Sequence, residues 1–141
     1  MKKLVLFVSV LALSLTSCNK DDEGGTSAAL EGRWEFTKEG VAANGQEALS
    51  DWNHAEGCTK DYTDITATTI TDHLFFNEGT DCIEESDAYT YTRSGNTITM
   101  TQGSASSTAE IMQLDGSTLK IKMTETFNGQ SMDYITVFTR R

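Results

Sequence analysis

His54-Ala55-Glu56-Gly57-Cys58 gathers three potential metal ligands within one short stretch. A structural or catalytic zinc site needs paired ligands at set spacings, and neither Cys-x-x-Cys nor a His pair of that kind occurs. A nucleophile needs a base within reach, and neither His54 nor His73 stands in a recognisable Ser or Cys context. No glycine-rich phosphate loop is present. Hydrolysis, phosphoryl transfer and metal catalysis therefore lack their usual parts. The expectation is a non-enzyme with no catalytic residue, no metal and no cofactor.

What remains is non-covalent binding. Glu125 shares strand parity with Leu119, Ile121, Met123 and Phe127, which turns it inward if alternation holds. An inward carboxylate must be paired or wet. Arg93 shares parity with Tyr89 and Tyr91 and could be its lumenal partner. Two readings stand: a polar anchor for a ligand's head group, or an ion pair or bulge that turns Glu125 outward. Phe76, Tyr89, Tyr91, Met100 and Met123 would line either a cavity or a solid core. Trp52 would cover the mouth or pack against the rim.

These side chains need strands to hold them. The chain has 21 threonines and no proline, a composition that favours β-structure. Around Glu31–Lys38, Trp34, Phe36 and the Lys38 stem fall on one face and Arg33, Glu35 and Thr37 on the other. Glu47–Glu56 has modest helical character, with Leu49 and Trp52 three apart, and stops at Gly57. A short helix or lid is expected there. From Tyr62 on, short period-two strands are separated by turns such as Asn77-Glu78-Gly79, Ser94-Gly95-Asn96, Asp115-Gly116 and Asn128-Gly129. Thr108, Glu110, Met112 and Leu114 share one parity. The expected fold is all-β: an eight-stranded antiparallel up-and-down barrel, since closure removes exposed edges. A two-sheet sandwich is the alternative.

The N-terminus assigns the compartment. Lys2 and Lys3 precede an apolar run, Leu4–Leu15, too short to cross about 30 Å of hydrocarbon. It reads as an export signal over residues 1–17. Residues 18–29 are polar and small, a flexible tether spanning roughly 20 Å. Residues 30–141 form one domain. The full chain carries 11 basic and 21 acidic residues. Without Lys2 and Lys3, nine basic residues face 21 acidic ones, a net of −12. Such a chain repels nucleic acid, which is not an expected partner. Outside the cytosol, Cys58 and Cys82 are expected to form a disulfide.

Leu15-Thr16-Ser17-Cys18 resembles the bacterial lipobox. That resemblance implies that Cys18 becomes the first residue and carries several acyl chains, palmitate among the candidates, giving lasting attachment to the outer membrane on its periplasmic or cell-surface side. Lys20-Asp21-Asp22-Glu23 looks like the acidic export signal of some surface lipoproteins, or is a solvated linker.

Leu30-Glu31-Gly32-Arg33-Trp34 resembles the Gly-x-Trp signature on the first strand of lipocalins. An ordered set of further motifs is similar to lipocalin-like domains of bacterial surface lipoproteins: Phe75-Phe76-Asn77-Glu78-Gly79-Thr80, Tyr89-Thr90-Tyr91, Ser94–Thr99 and Phe138-Thr139-Arg140. The resemblance covers Leu30 to Arg141. It implies a barrel whose Trp34 packs under Arg140 at a closed end. It also implies a small apolar or amphipathic ligand. A protein partner at the cell surface, met by Trp52 and its loop, is the alternative. Against the resemblance, no helix of the lipocalin kind is expected after the last strand, and a barrel this small is expected to have little cavity or to fill with its own side chains.

Overall fold

The computed structural model describes residues 28–141. The export signal, Cys18 and the residues Lys20–Glu23 lie outside the described residues. Nine antiparallel strands follow one another: β1 (Gly32–Ala43), β2 (Gln46–Asp51), β3 (Tyr62–Ile65), β4 (Thr69–Glu78), β5 (Asp81–Ser94), β6 (Thr97–Gln102), β7 (Ala105–Leu114), β8 (Thr118–Phe127) and β9 (Gln130–Arg140). Each strand from β3 to β9 pairs with the next, and β1 pairs with both β3 and β9. The ring is closed and holds eight strands; β2 is a ninth, paired only with β1. An eight-stranded barrel is the smallest that leaves room for one ligand. Ring closure excludes the open sandwich.

The expected helix or lid after the first strand is absent from the described residues, and Gln46–Asp51 is a strand instead. Asn44 and Gly45 both have positive φ, 53° and 76°. This is the two-residue turn that sends a strand straight back along its neighbour. Residues 46–51 therefore find backbone partners on β1, from Ala43↔Gln46 to Lys38↔Asp51. That pairing outweighs one apolar spacing of three.

A bulge between Phe36 and Lys38 breaks the alternation expected along β1. Lys38 leaves the Trp34–Phe36 face and pairs with Asp51 in solvent at 2.7 Å. Beyond the bulge the β1–β2 hairpin folds over the outside of the ring. Glu47 reaches Lys120 on β8, past β9. At Gly40 a Cβ atom would stand 1.9 Å from the Ala48 carbonyl oxygen. Only glycine permits that approach. Ile135, opposite Gly40 and pointing away from the lumen, is covered to 1% exposure. A second bulge, between Ile111 and Gln113, shifts β7. Ala109, Ile111 and Leu114 face the core, and Met112 is exposed. Leu114 thus leaves the parity expected from Met112.

One end of the ring is closed. Trp34 is fully buried and its indole N–H donates to the Leu30 carbonyl at 2.8 Å. The Arg140 guanidinium lies 4.1 Å from the indole ring centre. It donates to the carbonyls of Glu31 and Ala29, and occupies the space a side chain at Gly32 would need. Leu30, Leu114 and Leu119 complete the plug.

Candidate functional site

Above the plug the barrel encloses a cavity of about 230 Å³. Alternation on eight strands makes its wall. Phe36 and Phe138, with ring centres 4.6 Å apart, form one side. Ile65, Ile70, Ile98 and Leu119 form the floor; Tyr89, Met100, Ile121 and Met123 stand higher. A few polar groups interrupt this apolar lining: Thr63, Ser107 and Thr136 hydroxyls and the Asp72 carboxyl. Residues toward the opposite end, where β4 meets β5 and β8 meets β9, are exposed on both faces.

Asp72 shares the inward parity of Ile70 and stands opposite Thr63 on β3 and Asp87 on β5. Burial pushes its carboxyl above the ordinary aspartate range; Asp87 adds to this, while Thr63 and His73 oppose it. Tyr89, two residues from Asp87, has its phenol raised by burial and by the charges of Asp72 and Asp87.

Of the lining residues expected from sequence, Tyr89, Met100 and Met123 meet in this cavity. Tyr91 lies nearer the closed end, where its hydroxyl donates to the Thr66 carbonyl at 2.8 Å. Arg93 lies at that end too, its Nε donating to the Gly95 carbonyl at 2.8 Å. Glu125 lies near the other end, beside Phe127 in a shallow depression with Met132 and Tyr134. An Arg93–Glu125 lumenal pair is thus ruled out by placement: β5 and β8 carry the two residues to opposite ends. Phe76 is 47% exposed at the open rim.

Trp52 is half-buried against the cavity wall, its ring centre 4.5 Å from that of Phe36. Its indole N–H donates to Asp61 Oδ2 at 2.7 Å. Asp61 Oδ1 accepts the Phe75 N–H at 2.7 Å, and its own N–H donates to His54 Nδ1 at 3.0 Å. Asp61, 4% exposed, so replaces the backbone pairing that β2 and the far half of β4 do not make. His54 serves this loop. Cys58 joins Cys82 in the disulfide, with Cα atoms 5.7 Å apart, so His54, Glu56 and Cys58 are not assembled as ligands.

Asp72 and Asp61 are the polar residues that sequence reasoning missed. Asp72 could have been found from its parity with Ile70 and Leu74. Asp61 carries no local signal, since its partners come from three separate stretches of the fold: the Phe36 N–H, Trp52 with His54, and the Phe75 N–H.

Solved structures with similar architecture share little sequence. A bovine odorant-binding protein, a deswapped triple mutant, is 14% identical, with 78% of this chain aligned to 72% of that one and a TM-score of 0.45. The possum milk whey lipocalin trichosurin, solved with bound 4-ethylphenol, is 11% identical over 79% of this chain and 76% of that one, with a TM-score of 0.47. Bovine odorant-binding protein in complex with undecanal is 14% identical over 84% and 77%, with a TM-score of 0.45. No curated protein matches the sequence. The profile described as "Lipocalin-like domain" matches residues 30–121, well over half of the chain and spanning β1 to the middle of β8, and the chain belongs to that family.

Proposed function

We propose that the protein is a lipoprotein of the cell envelope, acylated at Cys18, whose barrel takes up one small apolar or amphipathic molecule without chemical change. The observation that carries the binding reading is the partly open, largely apolar cavity of about 230 Å³ between the Trp34–Arg140 plug and the open end, a little smaller than the roughly 300 Å³ at which pockets for drug-sized ligands begin. Pockets of this type are apolar with a few placed polar groups, and Phe36, Phe138, Met100 and Met123 with Asp72 and Thr63 match that pattern. A space of this size suits a small ligand, not a drug-sized one. Native mass spectrometry of protein taken from its own envelope tests this: the reading expects a small-molecule adduct, and a bare polypeptide that also takes up no added apolar probe contradicts it. Labelling with radioactive palmitate tests the anchor. The reading expects incorporation into the intact chain and none into Cys18→Ala; equal labelling of both contradicts it.

A surface protein partner is the second reading. Its support is the exposed apolar rim of Phe76, Ile83, Phe127, Met132 and Tyr134. Trp52 lends it little, being packed at a tilt against Phe36 and tied to Asp61.

A further inference from the structure

We infer that the ligand of this cavity carries a protonated amine, held by Asp72 with the apolar remainder against Phe36, Phe138 and Met100. The inference rests on the binding reading above and adds the ligand's charge. Among the described residues, Asp72 is the one charged side chain in the wall of a largely apolar cavity, and its register partner across β4–β5 is a second carboxylate, Asp87. Asp72 is half-buried, and a carboxylate drawn partly out of water gains from a counter-charge. Thr63 and His73 favour the ionised form of Asp72, but no Lys, Arg or His is among the described residues lining the cavity itself. A cation inside the cavity would come from a ligand. An ammonium group near Asp72 would neutralise one carboxylate, relieve its repulsion with Asp87 and donate its remaining hydrogens to hydroxyl oxygens. An anionic head group would meet two like charges at the same place. The excess of acidic residues in the whole chain also favours cations at the entrance.

Calorimetry with three probes of one shape tests this: 2-phenylethylamine, 2-phenylethanol and phenylacetate at pH 7. The chain from residue 18, with Cys18→Ala, retains all nine strands. The amine should bind about tenfold or more tighter than the alcohol, since a charge-assisted bond replaces a neutral one, and the acid should bind weakest. Asp72→Asn should bring the amine to within about threefold of the alcohol and leave the alcohol's affinity nearly unchanged. Asp87→Asn, at an exposed position that folding tolerates, should narrow the gap in the same direction. Raising salt should weaken the amine alone. If the alcohol binds as well as the amine, or Asp72→Asn and Asp87→Asn both keep the full preference, the charge assignment is overturned while ligand binding stands. If none of the three binds, the binding reading itself falls and the charge assignment falls with it.

Discussion

Arg140 shows how much a single side chain can organise. It covers Trp34 and donates to two carbonyls of the segment leading into β1. Arg33 also lies over a ring, that of Tyr62, and pairs with Asp64 at 2.7 Å, but in solvent. Exposed pairs contribute less than about 1 kcal/mol, whereas hydrogen bonds from a charged group contribute about 1.5–3 kcal/mol, and Arg140 makes two of them over a fully buried indole. Urea unfolding should therefore show Arg140→Ala losing about 2 kcal/mol or more and Arg33→Ala less than about 1 kcal/mol. Arg140→Lys should recover little, since an ammonium cannot span both carbonyls and the ring. Asp72 gives a prediction of opposite sign. Its carboxyl is raised in the fold by burial, so its ionised form is a liability above the folded value and costs nothing below the unfolded value, about 3.9. Asp72→Asn should raise Tm at pH 7, and the gain should fade as pH drops toward 4. Asp115 is the reverse. Bonds from Gln113, Ser117 and Thr118 hold its carboxyl at about 2. Its stabilising effect is full above the unfolded value and is lost as pH falls toward 2, so Asp115→Asn should lower Tm at pH 7 and matter little at pH 2. The Trp34–Arg140 contact and the inward Tyr89, Met100 and Met123 were legible from parity and motif. Asp72 was legible only through its parity with Ile70 and Leu74, because Leu74, Phe75 and Phe76 run together and blur the alternation beyond it.

At the scale of elements, the β1–β2 hairpin and the 52–61 loop are the parts that departed from expectation. Both depart for one reason: the ring leaves a side unpaired between β2 and the far half of β4, and side chains fill it. Trp52, Asp61 and the Cys58–Cys82 bridge do so. None of this is visible in local periodicity, because the bulge at Thr37 and the Asp61 bonds are set by partners far along the chain. The cysteine pair was legible, since on the expectation of export Cys58 and Cys82 are the two thiols left to pair once Cys18 is set aside. The bridge closes 24 residues of separation, which in the chain-entropy picture stabilises by about 3 kcal/mol. Reduction, or Cys58→Ser with Cys82→Ser, should lower the unfolding free energy by about that amount while the strand signal in circular dichroism persists. Gly40→Ala forces a methyl into the Ala48 carbonyl. It should cost about 1–3 kcal/mol, as overpacking does, and should speed proteolysis at Asn44-Gly45 by lifting the hairpin from Ile135.

Viewed whole, the molecule is a ring plugged at one end and wide at the other. Period-two alternation and regular turns made the ring legible, because a closed sheet needs nothing else from the sequence. The ninth strand and the cavity's size were not, since both depend on how side chains pack once the ring exists. The central claim is that the space above the plug receives a small molecule. Four methionines report on it directly: Met100 and Met123 line the cavity, while Met112 and Met132 lie on exposed surface. Carbon-13 labelling of the methionine methyls and titration with 2-phenylethanol and 2-phenylethylamine reads each position by NMR. Saturable shifts at Met100 and Met123, with Met112 and Met132 unmoved, are the result expected. Unmoved Met100 and Met123 methyls, or shifts confined to Met132 at the outer rim, would contradict it.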